Sequence, residues 1–402
     1  MSTLLIFLWI SFACVAVASS YWAFVLFRML RALGDRPSVR RGLDLPIPPE
    51  GLPKVSVVIP AHNEERVVDA CALSIRSQKY EDLEIIFALD RCTDRTAEIL
   101  KKHAAEDDRI KLVEIQSCPS DWAGKCHAAH QGSQHATGEW ILFTDADTNF
   151  DPHLIRASVL MAKERDASLL SLLSTLTTHH DFERSAQPVA SMTLLKLFPL
   201  DRVNDQRNGR VFANGQFLLF DRNFYESIQG HVSVKDALLE DLAFAERVYV
   251  RGGRGLLLLA DGMLICSMYS SLENFREGWK RIFIEACHRR PSRLRKQAVR
   301  VAALGLVLPA ICLVLLVLGI TALLLGDQTA GIIGLAMILA CTVIQLTAMM
   351  MIYRAGCVSR RYIWLYPYGA WIVTRILRQG ARDLLARQPI RWAGREYILD
   401  PR

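Results

Sequence analysis

No charged residue precedes Arg28, no two cysteines stand in a Cys-x-x-Cys pair, and no Gly-x-Gly-x-x-Gly follows the first strand-like run. A Gly-x-x-x-x-Gly-Lys-Ser/Thr loop is also missing. These absences exclude function classes. Without either glycine pattern, a Rossmann dinucleotide site and a phosphate-loop NTPase are ruled out. The ten cysteines have no paired spacing with His, so neither a zinc site nor a disulfide framework is expected. Cys14, Cys312 and Cys341 fall inside apolar runs and read as small buried hydrophobes. His127, His130, His179 and His180 have no ligand or base partner in the pattern and read as ordinary polar positions.

The 402 residues are 51% hydrophobic, and the excess lies at the two ends. Leu4 to Leu26 is an uncharged apolar run long enough to cross a bilayer as a helix. Ala16-Val17-Ala18 before Ser19 imitates a signal-peptide cleavage site. However, no Lys or Arg precedes the run, and it continues through Tyr21, Trp22, Phe24 and Phe27, which predicts an uncleaved anchor. Leu304 to Leu325 and Ala330 to Ile352, joined by Gly326-Asp327-Gln328-Thr329, predict a helical hairpin. Ile363 to Ile376 is short and is interrupted by Pro367 and Arg375, so it reads as an interfacial or re-entrant helix.

Arginine clusters flank these runs: Arg28, Arg31, Arg36, Arg40 and Arg41 after the first, Arg289 to Arg300 before the second, and Arg354, Arg360 and Arg361 after the third. By the positive-inside rule all three clusters are cytoplasmic, which places residues 43–271 there too. Much of the formal charge of +7 is therefore topological, and a nucleic-acid partner is not required. The resulting division is a membrane anchor at 1–27, a basic juxtamembrane linker at 28–53, an α/β domain at 54–271, an amphipathic interfacial helix with a basic linker at 272–300, a hairpin at 301–352, and an interfacial segment and tail at 353–402.

In the middle of the chain, apolar strands alternate with amphipathic helices, which predicts an α/β sheet covered on both faces. The strands are Val55 to Ile59 ending at Pro60, Leu83 to Leu89 ending at Asp90, Ile110 to Ile115, and Trp140 to Thr144. Asn63 is placed to cap a helix with Glu64 and Glu65 in its first turn, and Asp94 to cap a helix over Thr93 to Ala105. In open α/β sheets ligands lie beyond the carboxyl ends of the strands, so Pro60 to Glu64, Asp90 to Asp94 and Asp145 to Asp147 are expected at one crevice. Asp145 and Asp147, one residue apart after a strand, would share a face and hold Mg²⁺ or Mn²⁺ against a nucleotide diphosphate. Lys125 at a helix start opposes the dipole and implies a nearby anion, the diphosphate being the natural one. Asp241 is a candidate general base with Glu240 as its partner, both at a helix start that favours carboxylates. Gly215, in Phe212 to Phe217, marks close approach of a sugar ring or a bulge. Leu272 to Phe283 reads as a helix at the membrane surface, with Trp279 anchoring at the headgroups or lining an acceptor site beside Arg276 and Arg281.

Together, Val57-Val58-Ile59-Pro60-Ala61-His62-Asn63-Glu64-Glu65, Asp90, Asp145-Ala146-Asp147 and Glu240-Asp241 resemble the inverting family 2 glycosyltransferases of GT-A fold over roughly Lys54 to Arg281. Trp122-Ala123-Gly124-Lys125 and Arg391-Trp392-Ala393-Gly394-Arg395-Glu396-Tyr397, with one span before and a hairpin after, resemble its membrane branch, which includes ceramide glucosyltransferase and the hopene-associated and carotenoid glycosyltransferases. The resemblance implies a mixed-sheet GT-A domain between membrane helices and a hexosyltransferase using a UDP- or GDP-linked sugar. Pro60, Ala61, Asn63, Glu64, Asp90, Lys125 and Asp145 would then bind the donor, Asp145 and Asp147 a Mg or Mn ion, and Asp241 would act as base. The acceptor would be a lipid at the cytoplasmic leaflet, of the inner membrane if the source is bacterial. Arg276-Glu277-Gly278-Trp279 departs from the Gln/Arg-x-x-Arg-Trp motif of the branch, with Arg281 as its substitute, which argues against a processive polysaccharide synthase. A non-catalytic membrane scaffold is the remaining alternative, against which the retained carboxylates stand.

Overall fold

The computed structural model describes residues 3–34, 37–392 and 395–402. Arg36, Ala393 and Gly394 lie outside them. Helix α1 (Thr3–Gly34) leads to β1 (Val55–Ala61), α2 (Val68–Arg76), β2 (Leu83–Asp90), α3 (Thr96–Glu106), β3 (Ile110–Ile115), α4 (Gly124–Ser133) and β4 (Trp140–Phe143). Then follow β5 (Thr148–Phe150), α5 (Leu154–Glu164), β6 (Leu169–Leu173), β7 (Thr175–Leu176), α6 (Asp181–Leu197), α7 (Leu200–Val203), β8 (Leu218–Asp221), α8 (Arg222–Ser227) and α9 (Glu240–Val250). The domain closes with β9 (Gly255–Leu259) and β10 (Leu264–Cys266).

Seven strands form a mixed sheet in the order β3-β2-β1-β4-β8-β6-β9. β1 runs parallel to β2 and β4, whereas β8 is antiparallel to β4 and β6. Val55, Val57, Ile59, Ile85 and Phe87 pack with Val68, Cys71 and Ile75 of α2 on one face, and Val58, Ile86 and Ile141 pack with Ala129 of α4 and Phe244 of α9 on the other. A strand buried on both faces needs a continuous apolar run, which is why these segments were legible. A smaller sheet, β5-β10-β7, stands beside the strand ends.

The C-terminal part consists of α10 (Leu272–Ala286), α11 (Pro291–Ala302), α12 (Leu308–Leu324), α13 (Gln328–Ala355), α14 (Tyr366–Leu385) and a hairpin of β11 (Ile390–Trp392) and β12 (Arg395–Tyr397). Among the described residues three helices are long and apolar enough to cross a membrane: Trp9–Arg31, Pro291–Leu324 and Gln328–Ala355. The α12–α13 turn is fixed by Gly326 at φ 88° and by Asp327, whose side chain accepts the Ala330 N–H at 3.1 Å. Close helix approach follows from small residues, since a Cβ on Gly331 would lie 2.9 Å from the Gly319 carbonyl oxygen.

Two expectations need correction. The apolar face of α10 packs inside the protein: Phe275, Trp279 and Phe283 are buried and in tilted ring contact, and Lys280 pairs with Asp383 of α14 at 2.9 Å. That face is covered by α14 and α6 instead of lipid, so Trp279 (3% exposed) is no headgroup anchor. Residues 291–302, expected as a linker, form helix α11, which runs on towards α12 through one wider turn at Ala303–Val307. The segment expected at 363–376 as an interfacial or re-entrant helix is helical and extends to Leu385; its buried face, including Val373, Leu377 and Leu384, packs on α6, α10 and α11, while Tyr368 and Trp371 are exposed.

The α6–α14 crossing is so close that a Cβ on Gly369 would sit 1.9 Å from the Ser185 carbonyl oxygen. Gly369→Val should therefore lower stability by about 1–3 kcal/mol through overpacking. A thermal melt of the detergent-solubilised chain reads this directly, and an unchanged midpoint would show that the crossing yields.

Candidate active site

The site forms where β4 ends. Asp145 and Asp147 lie in the turn between β4 and β5, not on the strand, so their convergence comes from turn geometry and not from strand alternation. Thr148 Oγ donates to the Asp145 carbonyl at 2.6 Å, and the Ser267 N–H donates to the Asp147 carbonyl at 3.2 Å, which clamps the turn against β10. Both side chains face one cavity of about 470 Å³ together with Lys125, Glu240, Asp241 and Arg281.

Lys125, in the first turn of α4, bridges the two carboxylate groups. Its Nζ is 2.6 Å from Asp145 Oδ1 and 2.5 Å from Glu240 Oε1. The anion that the lysine implied is thus protein carboxylate. Burial works against its charge, but Asp145 and Glu240 outweigh burial and hold it above the usual lysine range. Glu240 is in turn held below the ordinary range, Lys125 outweighing burial. Asp241, the next residue of α9, accepts the Gly215 N–H on Oδ2 at 2.8 Å and the Leu242 N–H on Oδ1 at 2.7 Å. Burial, then the Glu240 charge, raises its pKa to about 6. Gly215 sits in the loop before β8, and a Cβ there would meet Glu240 Oε1 and Lys125 Nζ at 3.2 Å, so its close approach is to this charged bridge.

Burial, then Asp145, pushes Asp147 up to about 7, and its buried Oδ1 has no hydrogen-bond partner. Glu64 is pushed to about 7 by burial and then by Asp147 and Asp145, which places it at the edge of the same field. An orphaned buried oxygen and two adjoining aspartates suit a divalent cation. No group of three or more His, Cys, Asp or Glu side chains is arranged around a metal position among the described residues, so the two aspartates would supply only part of a cation's ligand set.

The other expected donor residues stand apart from this cavity. Asp90 at the end of β2 is clasped by Arg91 through two bonds of 2.8 and 2.7 Å, and Gly124 leaves room for that pair. Pro60 and Ala61 end β1, next to β2 in the sheet. Asn63 caps no helix, since α2 begins at Val68. It has φ 57° and accepts the Thr93 N–H at 2.8 Å, bracing the β1 and β2 exits together. Asp94 stands one residue before Arg95, which holds the cap position of α3, and accepts the Thr96 N–H at 3.0 Å. Arg276 is exposed on α10 and lines no part of the cavity, whereas Arg281 one and a half turns later does. Sequence reading missed Asn214, Gln216, Tyr269 and Asn274, along with Leu194, Phe212, Leu242, Met268 and Ile282, which give the cavity its apolar lining. Uncharged side chains scattered over five segments carry no spacing signal.

Residues 56–228 match the family model described as glycosyl transferase family 2, so the chain carries a domain of that family, built on the mixed α/β sheet expected of it. The 4,4'-diaponeurosporenoate glycosyltransferase of Staphylococcus haemolyticus is 24% identical over 194 residues, 48% of this chain and 50% of that protein. The GalNAc(5)-diNAcBac-PP-undecaprenol beta-1,3-glucosyltransferase of Campylobacter jejuni is 32% identical over 96 residues, 24% of this chain and 30% of that protein. The matched part thus spans about half, or less, of the length of these relatives. Among solved structures, the Pyrobaculum calidifontis mannosyltransferase in complex with GDP-Man and Mn²⁺ aligns at 18% identity and a TM-score of 0.47, covering 86% of this chain and 98% of that one.

Replacing Lys125 with Met leaves Asp145 and Glu240 facing each other without their shared cation. The variant should lose roughly 1–3 kcal/mol of stability, and millimolar Mn²⁺ should recover more of it than the same ion adds to the wild type. Melting both proteins with and without Mn²⁺ checks the bridge, and equal responses would remove it as the local counter-charge.

Proposed function

We propose that this protein is a membrane-bound inverting glycosyltransferase that moves one sugar from a nucleoside-diphosphate donor to a lipid acceptor at the cytoplasmic leaflet. The observation that carries the reading is the cavity itself, whose lining combines Asp145, Asp147 and Asp241 with Leu194, Phe212, Leu242 and Met268. A donor diphosphate with its cation suits the carboxylates of that lining, and an apolar acceptor suits its apolar side chains. The names of the Staphylococcus and Campylobacter relatives, which specify diaponeurosporenoate and PP-undecaprenol acceptors, support a lipid-related acceptor. The arginine clusters beside the three apolar helices support a cytoplasmic site.

In this mechanism Asp241 takes the proton of the acceptor hydroxyl as its oxygen attacks the anomeric carbon from the face opposite the leaving diphosphate, which inverts the centre. The backbone N–H groups of Gly215 and Leu242 fix the carboxylate for that transfer. Asp145 and Asp147 would hold a Mg or Mn ion, which when bound neutralises the leaving diphosphate. Lys125 adds positive charge beside Asp145 and keeps Glu240 in place, while Arg281, whose charge acts on Glu240, Asp241 and Asp145, lines the same cavity. Asp90, Asn63, Glu64, Pro60 and Ala61, on the exits of β1 and β2, are assigned to the nucleotide. Arg276 and Trp279 are given no part in transfer, one being exposed outside the cavity and the other buried in the helix core.

Membranes containing the chain, incubated with radiolabelled UDP and GDP sugars and Mn²⁺ or Mg²⁺, should yield organic-extractable label that EDTA and Asp147→Ala abolish. Label found only in long water-soluble chains would refute single addition. Asp241→Asn should lower transfer by about 10²-fold or more while donor binding persists. Because the Asp241 pKa is raised to about 6 and the base works ionised, kcat/KM should rise with pH through that value and then level off. An acid limb at the ordinary aspartate value near ~4 would reassign the base.

A further inference from the structure

The outer face of α14 carries a stripe of aromatic and basic side chains. Tyr368, Trp371, Arg375 and Arg378 recur every three or four residues, which puts them on one side of the helix, and all four are exposed. Trp364, in the turn just before the helix, is 82% exposed, against 50% for Tyr368 and 40% for Trp371. The stripe is ordered. The Tyr368 and Trp371 rings stack with centroids 6.0 Å apart, and the Arg375 guanidinium stands 4.9 Å from the centre of the Trp371 ring. No acid of this segment balances its charge, because Asp383, the single acidic residue from 355 to 395, is buried and held by Lys280 at 2.9 Å. Exposed aromatic rings in one patch, beside uncompensated positive charge, mark a contact surface.

We infer that Trp364, Tyr368, Trp371, Arg375 and Arg378 form a docking surface for the anionic phospholipid headgroups of the bilayer that the apolar helices enter. Three contacts put the start of α14 where those helices end. Tyr366 meets Trp22, near the end of the apolar run of α1, edge-on with centroids 6.4 Å apart. Ala370 packs on Gly305, one residue past the start of the next apolar run, so closely that a Cβ there would collide with it. The turn Arg360–Leu365 packs against α13, which ends at Ala355. The three aromatic residues therefore stand at the level where Trp and Tyr gather in membranes, and Arg375 and Arg378 follow one and two turns further along the helix. Guanidinium forks fit phosphodiester oxygens, and a basic stripe is drawn to an anionic leaflet. The opposite face of α14 holds Lys280 through Asp383, and Lys280 holds Glu277 of the cavity at 2.8 Å, so headgroups bound here would bear on a wall of the site. The inference rests on the reading that α1, α12 and α13 enter a bilayer.

The test places the full chain in nanodiscs of phosphatidylcholine, with and without phosphatidylglycerol, and follows thermal unfolding. Phosphatidylglycerol should raise the wild-type midpoint by about 2 °C or more, and high salt should shrink that shift. Arg375→Gln combined with Arg378→Gln should lose most of the shift, whereas Lys at both positions should keep it. Both side chains are exposed, so neither double variant disturbs the core. No shift in the wild type, or a full shift in the double Gln variant, would overturn the surface. An equal shift from inorganic phosphate in phosphatidylcholine discs would assign it to a soluble anion and overturn the lipid source. Two wild-type chains per disc, reduced to one by Trp364→Ala with Trp371→Ala, would make the face an interface between copies and overturn the lipid partner. Failure of the chain to enter either disc would overturn the spanning reading and the surface with it, an outcome distinct from entry without a shift.

Discussion

The bridge from Asp145 through Lys125 to Glu240 is the constraint on which the site depends. It draws three separate parts of the fold, the β4 exit, the start of α4 and the start of α9, to one point. Each end has its own reason to be there. A lysine in the first turn of α4 opposes the helix dipole and is tolerable only with acids beside it, whereas Glu240 and Asp241 in the first turn of α9 are favoured by theirs. Glu64, Asp145, Asp147, Glu240 and Asp241 would repel one another without Lys125 and Arg281, and the raised pKa values of Glu64, Asp147 and Asp241 record what repulsion and burial remain. Such residual strain is what a second cation would relieve.

Topology explains why the carboxylates can gather. β1, β2 and β4 run in one direction, so Ala61, Asp90 and the Asp145 turn all open at one sheet edge. β8 runs the other way beside β4, so its entrance, carrying Asn214, Gly215 and Gln216, reaches that same edge from the opposite end of a strand. The short sheet β5-β10-β7 then fixes the loop, with Gln216 donating to Cys266 Sγ at 2.9 Å and Thr144 donating to the Gln216 carbonyl at 2.7 Å. Gly215 is needed because its N–H must reach Asp241 while leaving no Cβ against Lys125.

Much of this was legible in the sequence, for physical reasons that also mark its limits. Strands buried on both faces write themselves as Val55 to Ile59 or Leu83 to Leu89, and apolar runs without charge announce membrane helices. Acidic pairs at element ends pointed to Asp145, Asp147, Glu240 and Asp241. Partnership was not legible: that Lys125 meets Asp145 and Glu240, or that Arg91 clasps Asp90, depends on which helix starts face which strand ends. The amphipathic segments misled, because an apolar stripe with basic neighbours has the same pattern whether lipid or protein covers it. For α10 and α14 the covering is mutual, sealed by Lys280 and Asp383. Asn63 looked like a helix cap because its side chain suits one, yet the chain uses it to brace two loops.

The same mutual covering bears on how an acceptor would reach the site. Leu194 belongs to α6, and Ile282 and Ala286 belong to α10, so part of the apolar lining of the cavity comes from helices whose other faces hold α14. α14 packs with α11 residues in the same core, and α11 continues towards α12. α1 is fastened to the catalytic side twice, at Lys196 and at Asp201. The apolar wall and the membrane helices are therefore one packed unit and not two bodies on a tether. In such a unit the position of the cavity relative to the long apolar helices is set by side-chain packing, which is what the proposed transfer to a lipid acceptor would require.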